Sequence, residues 1–142
     1  MTLFSQDRIL VPIDFSEEAF QALDDTLSFV SDPTKVHVLH VLPALEATDP
    51  GVIWQTIDEK SRREHVEEAF YAKRSSEADK KLHFQVVVGN ASSEIIDYAT
   101  HNNIDLIVIP SHGRTGIARF FLGSVAERVV RFSHCPVLVL RQ

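Results

Sequence analysis

Apolar and polar positions alternate along this chain in blocks that switch between two periods. Arg8–Asp14, "RILVPID", is a short apolar run bounded by polar residues, the pattern of a strand covered on both faces. Ser16 then offers a helix N-cap, with Glu17 and Glu18 in the first turn where the dipole favours acids. Ala19, Phe20, Leu23, Leu27 and Val30 follow at helical spacing, up to the breaker "SDP". Lys35–Pro43, "KVHVLHVLP", predicts a second buried strand rich in β-formers.

A loop, "ALEATDPG", leads into the charged segment Val52–Lys81, which predicts one helix packed by a narrow stripe of Ile57, Val66, Phe70 and Trp54. Leu82–Gly89 is a third strand, and Ser92–His101 a helix with Ile95, Ile96 and Ala99 inward. Asp105–Pro110 is a fourth strand. After a glycine-containing loop, Ser124–Ser133 predicts a helix with Val125, Val129 and Phe132 on one face, and Pro136–Leu140 a fifth strand. Strands alternating with helices imply right-handed crossovers, hence a single α/β domain over 1–142 with a parallel sheet and helices on both faces.

Composition narrows the function. The 142 residues, 44% apolar and 24% charged, suit one soluble domain. No apolar run is long enough to cross a bilayer and no basic-then-apolar leader opens the chain, so neither a membrane nor a secretory route is expected. A single cysteine, Cys135, fits a reducing, cytoplasmic setting. The net charge of −6 argues against a nucleic-acid partner. The charge is unevenly spread: nine Lys/Arg oppose nineteen Asp/Glu in residues 1–105, whereas five arginines oppose Glu127 alone in residues 106–142. That basic end fits either a solvated helix face or a nearby anion.

The chemistry gathers in two loops. In open parallel sheets ligands bind beyond the carboxyl ends of strands where the strand order reverses. The loop after the first strand carries Asp14; the loop after the fourth carries "SHGRTGIARFFLGS". Neither GxGxxG after the first strand nor GxxxxGK[ST] anywhere is present. The second loop still has what a phosphate needs. Glycines allow close backbone approach, Gly123-Ser124 opens a helix, the Ser124 hydroxyl can donate and Arg114 can neutralise charge. A plain strand–turn–helix connection with Ser124 as N-cap fits the same residues. His112 could touch a phosphate or face solvent, and Asp14 could contact a ligand or only shape a turn. His37 and His40 point to opposite faces of their strand, so they do not share an ion, and His134-Cys135 lacks a second pair at zinc spacing. No metal site from protein ligands and no catalytic residue is expected, and Cys135 reads as a small core residue.

"ILVPIDFSEEAFQAL", "VHVLHVLP" and "SHGRTGIARFFLGSVAERVVRFSHCPVLVLR" together resemble the universal stress protein family, over Arg8 to Arg141. The resemblance implies a doubly wound, Rossmann-like five-stranded parallel sheet of order 3-2-1-4-5. It also implies a homodimer formed through the last strand, Val137, Leu138, Val139 and Leu140, and a stress-response sensor or regulator with ATP or AMP as ligand, Mg2+ accompanying the phosphates. The regulatory protein partner is unknown. In the family's nucleotide-binding motif, G-x2-G-x9-G-[ST], Gly113, Gly123 and Ser124 match, while Pro110 replaces the first glycine. By the resemblance, Asp14 and the Val41 backbone meet adenine, and Pro12 and Ile13 line its pocket. Ile109 and Pro110 lie by the ribose, and Gly113, Arg114, Gly123, Ser124 and Val125 hold phosphates. Pro110 fixes its own φ and removes a donor, so two other readings stay open: a nucleotide-free interaction module on the same fold, and a weak ATPase.

Overall fold

The computed structural model describes residues 7–44, 59–112 and 122–141. The chain runs β1 (Ile9–Pro12), α1 (Glu17–Phe29), a 3-10 turn (Pro33–Lys35), β2 (Val36–Leu42), α2 (Glu59–Lys73), α3 (Glu77–Lys81), β3 (His83–Val88), α4 (Ala91–His101), β4 (Leu106–Pro110), α5 (Ser124–Phe132) and β5 (Val137–Leu140). Five parallel strands lie in the order β3-β2-β1-β4-β5. This is the doubly wound order that the family resemblance implies.

Side-chain alternation along the strands divides the core in two. Ile9 and Val11 of β1, with Leu106 and Val108 of β4, face a cluster closed by Ala19, Ala22 and Leu23 of α1 and Phe70 of α2. Leu10, Ile107 and Ile109 face the opposite cluster, closed by Ile95, Tyr98 and Ala99 of α4 and by Ala126 and Val129 of α5. β1 is buried along its whole length, which explains its unbroken apolar run.

Three expectations need correction. The segment Val52–Lys81 is not one helix over its described part: α2 ends at Lys73 and α3 starts anew at Glu77. Ser76 stops the first helix and starts the second by a capping box, its hydroxyl accepting from the Asp79 amide while the Asp79 carboxylate accepts from the Ser76 amide. The break also places Arg74 between the buried Asp79 carboxylate at 3.0 Å and Asp24 of α1 at 2.7 Å. The stripe narrows to Phe70, with Val66 half-buried; Trp54 and Ile57 lie outside the described residues. Phe132 does not pack inward with Val129 but is 55% exposed, its ring covered by the guanidinium groups of Arg128 and Arg131. Ser124 is not the N-cap of α5; that position belongs to Gly123.

His37 and His40 do point to opposite faces. His37 Nδ1 lies 2.7 Å from the Tyr98 hydroxyl, and its ring stacks on His83 of β3. Burial, reinforced by the charges of His83 and Arg8, pushes His37 from the ordinary 6.5 down to about 4. The unfolded chain binds this proton near 6.5 while the folded chain refuses it until about 4, so the contribution to stability is complete above 6.5 and is lost as pH falls through that window. Thermal melts are expected to show a lower Tm at pH 5 than at pH 7. His37→Gln, which keeps a partner for Tyr98 without titrating, is expected to flatten that slope; an equal slope in the variant would remove His37 as its source.

Candidate functional site

The reversal of strand order lies between β1 and β4, and there the sheet opens. β1 pairs with β4 only at Ile9↔Leu106 and Leu10↔Ile107, whereas its pairing with β2 runs on to Pro12↔Leu39. β4 meanwhile stays paired with β5 as far as Pro110↔Leu140. The carboxyl ends of β1 and β4 therefore part, with a crevice between them.

Pro110 is the last residue of β4 and is buried. The Ile107 amide donates to Pro136 O and the Ser111 amide to Leu140 O, so amides of odd-numbered residues point towards β5. The Pro110 nitrogen thus faces the β1 side, where pairing has already stopped. Its missing N–H costs the sheet no ladder bond; the donor is subtracted from the crevice.

The apolar wall on the α4–α5 face is made by Val41, Ile109 and Val125, which belong to one cluster, and alternation from Leu10 puts Pro12 on the same face. Ile13 is different. Its side chain packs in the opposite cluster with α1, so it offers the crevice backbone rather than side chain. Asp14 follows at the mouth, half-buried, its Oδ1 accepting from the Ser16 amide at 3.0 Å in an Asx turn. Ser16 in turn caps α1 by accepting from the Ala19 amide.

α5 supplies the polar wall. The Gly123 amide donates to Ser111 O at 2.7 Å, tying the start of α5 to the end of β4. The first turn of α5 closes with the Glu127 amide on Gly123 O, and no side chain caps the helix. The amides of Ser124, Val125 and Ala126 have no intrahelical acceptor, and together with the dipole they favour an anion. Glu127, an acid in the same turn, is ion-paired with Arg131, which offsets its repulsion of an anion. His112 Nδ1 sits 3.2 Å from its neighbour's Ser111 Oγ. Gly113 and Arg114 lie outside the described residues. Cys135 packs against the α4–α5 cluster, and burial pushes its thiol up, away from nucleophilic use.

Sequence reasoning misses two residues here. Phe15 has φ of 64°, a left-handed conformation that costs a bulky side chain roughly 1–2 kcal/mol. Nothing in its identity signals this. His40 donates from Nδ1 to the Ile13 carbonyl at 2.8 Å, and its ring stands edge-on to Phe15 at 4.9 Å. Its signal is a histidine in a strand whose residues, His37 apart, are otherwise apolar.

A family model described as the universal stress protein family matches residues 6–141. Universal stress protein MJ0531 of Methanocaldococcus jannaschii is 32% identical over 140 residues, covering 95% of this chain and 82% of that protein. Universal stress protein MJ0577 of the same organism is 31% identical; its solved structure superposes with a TM-score of 0.77, covering 96% of each chain. UspA from Lactobacillus plantarum gives 0.74 at 25% identity, covering 96% of this chain and 98% of that one. Two more distant structures share the fold at 18% identity. One is a universal stress protein in complex with cAMP, with a TM-score of 0.58 and 98% of each chain covered. The other is a family protein from Arabidopsis thaliana with AMP bound, with a TM-score of 0.59, covering 94% of this chain and 90% of that one.

Proposed function

The chain belongs to the universal stress protein family, and on that premise we propose that it binds an adenine nucleotide, ATP or AMP, in the crevice between β1 and β4. The observation that carries this reading is the start of α5, a helix with no side-chain cap, tied through Gly123 and Ser111 to the end of β4 where that strand has left β1. Phosphates meet the amides of Ser124 and Val125 and the Ser124 hydroxyl, and Gly113 and Arg114 are further phosphate contacts. The base lies towards Asp14, between the Val41 and Ile109 side. The AMP and cAMP held by two relatives are the ligand class this arrangement suits. Mg2+ would accompany a triphosphate through the phosphate oxygens.

The protein then acts as a cytoplasmic regulator in a stress response, its occupancy reporting the nucleotide pool to a protein partner. β5 is an edge of the sheet and Leu138 is 43% exposed, features suited to pairing with the same strand of a second copy. Pro110 withdraws one donor and leaves the other polar groups in place.

Titration calorimetry with ATP and AMP at millimolar concentrations is expected to give heat and a rise in Tm, and Asp14→Ala is expected to weaken ATP by about tenfold, the worth of one hydrogen bond with a charged partner. No heat and no thermal shift for the wild-type protein would favour the nucleotide-free module instead.

A further inference from the structure

His40 does something in this crevice that its place on a buried strand does not require. In a continuing parallel ladder, the Ile13 amide would donate to Leu39 O and the Ile13 carbonyl would accept from the Val41 amide. The first bond is present at 2.8 Å. At the second position the donor is the His40 ring, with Nδ1 2.8 Å from Ile13 O. A carbonyl only accepts, so the imidazole carries its proton on Nδ1. Alternation from Leu39 directs the Val41 amide to this same side, at the end of β1.

Two further contacts tighten the arrangement. The His40 ring meets Phe15 edge-on at 4.9 Å and 86°, and Phe15 meets Phe20 of α1 at 5.6 Å. Phe15 is held at φ 64°, so the turn Ile13–Ser16 is over-determined by its surroundings rather than by its own preference. Holding the Ile13 carbonyl fixes the plane of the Ile13–Asp14 peptide; packing on Phe15 fixes the other side of Asp14.

We propose that His40 is a positioning residue for base recognition: by taking the Ile13 carbonyl and bracing Phe15 it sets Asp14, and it leaves the Val41 amide for a purine edge. This rests on the nucleotide reading above. The discrimination it serves is between adenine and guanine, whose edges present donors and acceptors in opposite order at the exocyclic position, so that a fixed donor–acceptor pair accepts one and rejects the other.

The test compares ATP, GTP and inorganic tripolyphosphate by calorimetry in wild type, His40→Leu and His40→Asn. His40→Leu is expected to lose tenfold or more for ATP and most of the ATP-over-GTP preference, with tripolyphosphate within twofold of wild type. His40→Asn, whose amide can place an N–H near the Nδ1 position, is expected to restore the preference. A folded His40→Leu that keeps both affinity and preference overturns the proposal, as does an equal loss for ATP and tripolyphosphate. Should His40→Leu not fold, His40→Phe, which keeps the ring but has no donor, carries the same comparison. Amide hydrogen exchange separates this from the nucleotide reading. The Ser16 amide, bonded to Asp14 Oδ1, is expected to lose at least tenfold protection in His40→Leu without any ligand, while Ile104 keeps its own. Unchanged Ser16 protection overturns the positioning role even if ATP binds, whereas lost protection shows that His40 sets Asp14 whether or not wild type binds ATP, and a wild type that binds none removes the nucleotide reading alone.

Discussion

Ser124→Pro is expected to leave the fold intact and to weaken ATP by about a hundredfold or more. Ser124 is the first residue of α5, the helical position that suits proline best, because its amide has no intrahelical acceptor and the fixed φ of the ring matches the helix start. Gly123 before it has φ −59° and ψ 152°, which a following proline tolerates. The Ser124 side chain is exposed, so no core packing is lost. What disappears is one amide and one hydroxyl, each worth about 1.5–3 kcal/mol when its partner is charged. Ser124→Ala, which removes the hydroxyl alone, is expected to lose less. Calorimetry reads the affinity and a thermal melt reads the fold. A variant that binds ATP as wild type does would take the phosphates away from α5.

Phe70→Ala has the largest expected effect on stability, about 3–5 kcal/mol. Phe70 is completely buried, and its ring stacks on Phe84 of β3 at 4.1 Å and 7°. It is the one buried residue of α2, a helix otherwise covered in charge, so its removal takes away the main packing of the helix on the sheet as well as opening a cavity. A loss of this size corresponds to a fall in Tm of roughly 10–20 °C for a chain of this length. Differential scanning calorimetry measures it, and a fall under about 3 °C would mean that α2 is held elsewhere. Because Phe70 lies on the α1–α2 face, the protein that remains folded should still bind ATP at the opposite face.

Those two variants mark how far the sequence can be read. The strands were legible because burial on both faces forces continuous apolar runs, and "ILVP" and "LIVIP" leave little else to be. Ser16 as the cap of α1 was legible because a hydroxyl before two acids satisfies free amides locally. The break between α2 and α3 was less so. Ser76 carries a capping signal, but the same charged residues continue a helical pattern, and the competing signal wins only when Arg74 finds Asp24 and Asp79. Phe132 went the other way: its spacing from Val129 is that of a core residue, yet it is the last residue of α5 and its ring is left to the two arginines.

By itself the sequence determined the class of fold, the places of its strands and most helices, and the two loops that carry polar chemistry, because these depend on local periodicity, caps and breakers. Only the tertiary structure decided that β1 and β4 separate beyond Leu10 and Ile107, that the nitrogen of Pro110 faces that gap rather than β5, and that Ile13 turns away from it. It alone put His40 on the Ile13 carbonyl and Phe15 in a left-handed conformation. These depend on register and on which neighbour a strand meets, and residues far apart in the chain set both.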